Sequence, residues 1–94
     1  MTTPEENLSF KIVGDYYYPR YSDGDTVISR RLGGCLSLYI GSESVAITKD
    51  GSTYVGKIRE GTIEGRYDIE HFREPILRNV DIQSISKVLC ILRA

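Results

Sequence analysis

Ser44-Val-Ala-Ile-Thr48, Lys49-Asp50-Gly51-Ser52 and Thr53-Tyr-Val-Gly-Lys-Ile58 follow one another without a break. The outer runs are rich in β-branched and aromatic residues, which suit the pleated surface of a strand. Between them, an Asp-Gly pair offers the positive φ angles that a tight hairpin turn requires. The stretch predicts a β-hairpin, and the rest of the chain is read outward from it.

Upstream, Leu8-Ser-Phe-Lys-Ile-Val13 alternates apolar and polar residues as a half-buried strand does, and Gly14-Asp15 ends it. Tyr16-Tyr17-Tyr18-Pro19-Arg20-Tyr21 follows, and Pro19 keeps Tyr18 out of the helical region, so this is a turn or short irregular segment. Ser22-Asp23-Gly24-Asp25 is another turn, and Thr26-Val-Ile-Ser29 a short strand. Arg30-Arg-Leu-Gly-Gly34 breaks the pattern before Cys35-Leu-Ser-Leu-Tyr-Ile40 resumes β character. Downstream, turns at Glu60-Gly61-Thr62 and Glu64-Gly65 surround a strand near Arg66-Tyr-Asp-Ile-Glu70. Ile76-Leu77 and Val80-Asp-Ile82 are separated by Arg78-Asn79, and the chain closes on Val88-Leu-Cys-Ile-Leu92. No stretch repeats apolar residues at helical spacing over three turns. Short strands with turn signals at intervals of about eight to twelve residues predict an all-β fold. The expectation is a small, partly open barrel or sandwich of short, mostly antiparallel strands. Residues 1–7 form a polar leader and 8–94 a single domain.

Ninety-four residues suffice for one domain with a small core. Twelve Lys and Arg against thirteen Asp and Glu leave a net charge of −1, which argues against a free-standing nucleic-acid clamp. No apolar run approaches the ~18–20 residues of a membrane span, so no membrane partner is expected. The start, Met1 to Asn7, is acidic and polar, unlike a signal peptide. Two cysteines are too few for a disulfide scaffold, which points to a reducing cytoplasm. Cys35 and Cys90 lack Cys-x-x-Cys spacing, so no metal is expected, and Cys90 in its apolar run reads as a small core residue. The glycines form neither a Walker loop nor a dinucleotide fingerprint, and no cofactor is expected. His71, the only histidine, reads as a surface or strand-end side chain.

One ordering is more specific. A strand, Gly14-Asp15, Tyr16-Tyr17-Tyr18-Pro19, four residues, Gly24-Asp25 and a second strand resemble the peptidase family of LexA and phage CI-type repressors. The C-terminal domains of that family carry G-D-S-M-x-P-x-x-x-x-G-D, and Gly14, Asp15, Pro19, Gly24 and Asp25 match in kind and spacing. The similarity continues through Ile40-Gly41-Ser-Glu-Ser-Val45, the Asp50-Gly51 turn, Arg59-Glu60-Gly61, Gly65-Arg-Tyr67 and the last apolar run, covering roughly residues 8 to 93. The resemblance implies a self-cleaving Ser-Lys peptidase fold in a dimeric repressor whose DNA contacts lie in an N-terminal helix-turn-helix. This chain departs from that pattern at the chemistry. Tyr16 stands at the serine position and Tyr17 at the methionine. Aligning Val55 and Ile58 with the family's V-K-R-L puts Gly56 at the lysine and Lys57 at the arginine. A one-residue slip would restore a lysine at Lys57 but turn it to the opposite face of the strand. A Ser-Lys dyad needs a desolvated lysine that takes the serine's proton, and a tyrosine hydroxyl set further out cannot replace the alkoxide. The expectation is a non-catalytic regulatory and dimerisation domain whose old substrate groove binds a peptide or partner. The alternatives are an active peptidase pairing another serine with Lys57, or an adaptor that associates with intact repressors. In the last run, Val88, Cys90 and Leu92 are expected on one face, with Leu89 and Ile91 on the other as a homodimer contact.

Overall fold

The computed structural model describes residues 7–14, 17, 19–32, 35–71 and 75–94. Among the described residues seven strands form: β1 (Asn7–Lys11), β2 (Thr26–Arg30), β3 (Glu43–Thr48), β4 (Thr53–Glu60), β5 (Tyr67–Glu70), β6 (Leu77–Val80) and β7 (Ile82–Leu92). They make one antiparallel sheet in the order β1-β2-β7-β3-β4-β5-β6, which does not close on itself. The expected all-β class of short, mostly antiparallel strands is therefore what the chain adopts. Among the described residues, no helix is long and apolar enough to cross a membrane.

The core lies on both faces of this sheet. Val45 and Ala46 are neighbours in β3, so their side chains point to opposite sides. Val45 packs with Ile12, Tyr21, Val27 and Val55 on the first face. Ala46 packs with Tyr39, Ile58, Ile69, Ile82 and Ile85 on the second. Because β3, β4 and β7 contribute to both clusters, they read as apolar on both sides, whereas β1 keeps a plain alternation.

The predicted hairpin is β3–β4, with Val45 opposite Val55 and Ile47 opposite Thr53. Only Gly51 of the Asp-Gly pair takes a positive φ, at 89°. The Thr48 N–H donates to the Ser52 carbonyl at 2.9 Å, and the Gly51 N–H to the Thr48 carbonyl at 3.0 Å. Lys49, Asp50 and Gly51 thus make a three-residue loop with its left-handed residue last. The Asp50 carboxylate, which also accepts from the Ser52 N–H and the Thr48 hydroxyl, braces it.

Three expectations need correction. Residues 35–40 alternate like a strand, yet Leu36–Tyr39 is a 3₁₀ turn. Leu36 and Tyr39 are three apart, which places both on the same side of such a turn, and both pack on the second-face cluster. Second, Arg78-Asn79 does not separate two strands. Both residues lie in β6, where Asn79 adopts a left-handed φ of 53°, and only Asp81 divides β6 from β7. Third, the last apolar run does not alternate. Ile28 pairs with Cys90 and Ser29 with Val88, so Leu89 is an extra residue in β7. This bulge turns both Val88 and Ile91 toward the first-face cluster and leaves Leu89 and Cys90 exposed. Cys90 is therefore not a core residue, and Leu89 and Ile91 do not share a face.

Candidate functional site

The connection from β1 to β2 leaves the sheet through a narrow neck. Ile12 N–H donates to the Asp25 carbonyl and Gly24 N–H to the Ile12 carbonyl, each at 2.8 Å. The Gly14 N–H donates to the Asp23 carboxylate at 2.6 Å. Gly14 and Gly24 have φ of 81° and 89°, a backbone shape open to glycine and strained for other residues. The motif glycines therefore sit on the two sides of one neck. Asp15 and Tyr16, with Tyr18, lie outside the described residues, as do Gly33, Gly34 and the leader up to Glu6.

Asp25 is a clamp. Its carboxylate, almost fully buried, accepts from the Ser22 N–H, the Ala94 N–H and the Arg93 guanidinium at 2.9, 2.9 and 2.8 Å. The backbone donors of Ser22 and Ala94, then Arg93, hold its carboxyl below the usual carboxylate range. Arg93 also donates to the Arg20 carbonyl at 3.0 Å, tying the end of β7 to the same segment.

Above the neck, Tyr17 and the 19–21 segment fold back over the first face. Tyr21 N–H donates to the Tyr17 carbonyl at 3.1 Å across the turn at Pro19. The Tyr17 and Tyr21 rings meet edge to face, 6.2 Å apart. β4–β5 pairing stops at Lys57 opposite Glu70, leaving the Val55 N–H beyond the end of β5. That N–H donates to the Tyr17 hydroxyl at 3.2 Å. Tyr21, 2% exposed, donates its hydroxyl to Glu43. Arg20 forks onto the same carboxylate through Nε at 3.1 Å and a terminal nitrogen at 2.7 Å. Burial pushes the Glu43 carboxyl up, but Arg20, Tyr21 and the charge of Lys57 outweigh it and hold the group below its usual range. Burial, then the bond to Glu43, drives the Tyr21 phenol well above the usual tyrosine range.

Between this segment, β4 and the end of β5 lies a cleft of about 390 Å³. Val55, Gly56 and Lys57 form its floor, with Tyr17, Arg20, Tyr21 and Glu43 on one side and Glu70 and His71 on the other. His71, expected at the surface or a strand end, follows directly on β5 but is only 8% exposed. Its ring lies 5.9 Å from that of Tyr17 and 5.7 Å from that of Tyr54, so aromatic packing has drawn it inward. Gly56 keeps regular register opposite Ser44, so it is no bulge. A Cβ at this position would stand 2.7 Å from the Glu70 carbonyl oxygen and 2.9 Å from Ile69 Cγ2. The glycine lets the last residues of β5 approach β4.

The structure thus brings Tyr17, Gly56 and Lys57 together at one cleft and places Gly14, Gly24 and Asp25 at the neck beneath it, with Pro19 in the covering turn. Leu89 and Ile91 lie on β7, away from the cleft lining. Arg20, Tyr21, Glu43 and Glu70 were not singled out from the sequence. The sequence signal was incomplete: a two-residue Asp-Gly turn would pair Glu43 with Ile58, the three-residue loop puts it opposite Lys57, and Glu70 depends on the β4–β5 register. Among the described residues, no Ser, Thr or Cys lines the cleft, and no three His, Cys, Asp or Glu side chains gather as a metal site would. No protein family, curated protein or solved structure matches the chain.

Proposed function

We propose that this chain is a non-catalytic regulatory domain of the repressor type it resembles, one that holds a peptide in its cleft and associates with a second copy. The crowding at Gly56 carries this reading. The position that aligns with the family's general base has no room for any side chain, because the Glu70 carbonyl occupies the space of a Cβ. Lys57, the fallback base, faces Glu43 and Glu70 across the strands, with no serine among the described lining residues to activate. Aromatic rings beside paired carboxylates make a surface for holding a ligand rather than for acyl transfer.

Self-association in this reading uses the outer side of β7, where Leu89 is 45% and Leu92 56% exposed. Ile91 is not part of it. DNA contact belongs to the helix-turn-helix of such a repressor, and none of the described strands supplies one. Incubation at alkaline pH, which favours a neutral lysine, tests the reading by mass spectrometry. A single intact mass is expected, and a time-dependent, concentration-independent internal cut would overturn it.

A further inference from the structure

We propose that the cleft selects an acidic side chain on an extended peptide, with Lys57 as its ion partner. The inference rests on the peptide-holding reading above and gives the ligand a chemical class. Lys57 lies directly opposite Glu43 on β3 and Glu70 on β5, so the three side chains rise from one face of the sheet. Both carboxylates are already engaged. Glu43 takes the Arg20 fork and the Tyr21 hydroxyl, and Glu70 takes Arg59 at 2.9 Å. Lys57 forms no ion pair among the described residues. Arg20 and Arg59 therefore take up the two carboxylates, Arg59 from outside the cleft, and Lys57 is the cation in the lining left over.

This arrangement discriminates by sign. A basic side chain entering the cleft would find both carboxylates paired and the Lys57 ammonium in its way. An acidic one finds an ammonium that no described carboxylate holds at ion-pair distance, beside walls that suit its methylenes: Val55, Tyr17 and the His71 ring. A volume near 390 Å³ accommodates a few side chains of an extended segment and no folded partner. A charge-assisted bond in a partly enclosed site is stronger than the same contact in open water.

The test is an NMR titration of the ¹⁵N-labelled chain at low salt with three blocked pentapeptides. They carry glutamate, glutamine or lysine between two leucines. The glutamate peptide is expected to shift the Val55, Lys57 and Glu70 amides and to bind about five- to tenfold more tightly than the glutamine peptide. Lys57→Met should abolish that ratio while leaving the unbound spectrum otherwise native, and Lys57→Arg should keep it. Equal binding of the glutamate and glutamine peptides would overturn the acidic preference and leave the groove. No shift at these amides with any peptide would overturn the groove as well. Equal shifts with acetate at matched ionic strength would make it a bare anion site and overturn the peptide.

Discussion

At position 56, β5 approaches β4 so closely that the Glu70 carbonyl oxygen takes the space of a Cβ. Gly56→Ala should cost about 1–3 kcal/mol, because the blocking atom is a backbone carbonyl that cannot rotate away. Urea denaturation reads this directly, and an unchanged midpoint would refute the close approach. The ionisable residues over the cleft make a separate prediction. Glu43 is held below its usual range, so its contribution is present at neutral pH and lost as pH falls below about 4.3 and through its folded value. Tyr21 is shifted the other way. Its contribution is complete below about pH 10 and declines as pH rises toward its folded value. Denaturation midpoints across pH should therefore fall at both extremes. Glu43→Gln should flatten the acid limb and Tyr21→Phe the alkaline one. Limbs of unchanged slope in these variants would place the titrating groups elsewhere.

Elements were legible where local pattern and tertiary environment agreed. The β3–β4 hairpin, β1, β2 and β5 all follow from alternation and turn chemistry, because each has neighbours that reward the same side-chain direction. Residues 35–40 failed for a physical reason: Leu36, Leu38 and Ile40 fit a strand's period of two, and Leu36 and Tyr39 fit a 3₁₀ period of three equally well. Packing on the second-face cluster decided between them. The bulge in β7 had no local signal, since five apolar residues look alike in any register. It changes what a substitution there should do. Ile91→Asp places a charge against Val27 and should destabilise by about 2–4 kcal/mol. Leu89→Asp, at the exposed extra residue, should stay within about 0.5 kcal/mol. If the outer side of β7 is the self-contact, Leu89→Asp also yields a folded monomer by light scattering. A destabilised Leu89→Asp with a tolerated Ile91→Asp would reverse the assignment of faces.

At the scale of the whole molecule, the sheet's order makes the last strand central. β7 lies between β2 and β3, so the sheet joins its two parts only through its final strand. Its far end is fastened by Arg93 and Ala94 onto Asp25, beneath the segment that carries Arg20 and Tyr21. The two clusters lie on opposite faces and share no residue, yet β3, β4 and β7 feed both. Neither face can therefore keep its packing if these strands separate. Ile58→Ala, confined to the second face, should cost about 2–5 kcal/mol. That loss should appear equally at Val27 and Val45 on the other face, because one transition melts both. Methyl NMR through a urea series, with Val27 and Val45 reporting one face and Ile69 and Ile85 the other, follows both clusters at once. Coincident midpoints in the parent and in Ile58→Ala are expected. First-face methyls that stay native while the second face melts would mean the sheet holds two independent cores, and that the cleft could persist without the layer beneath it.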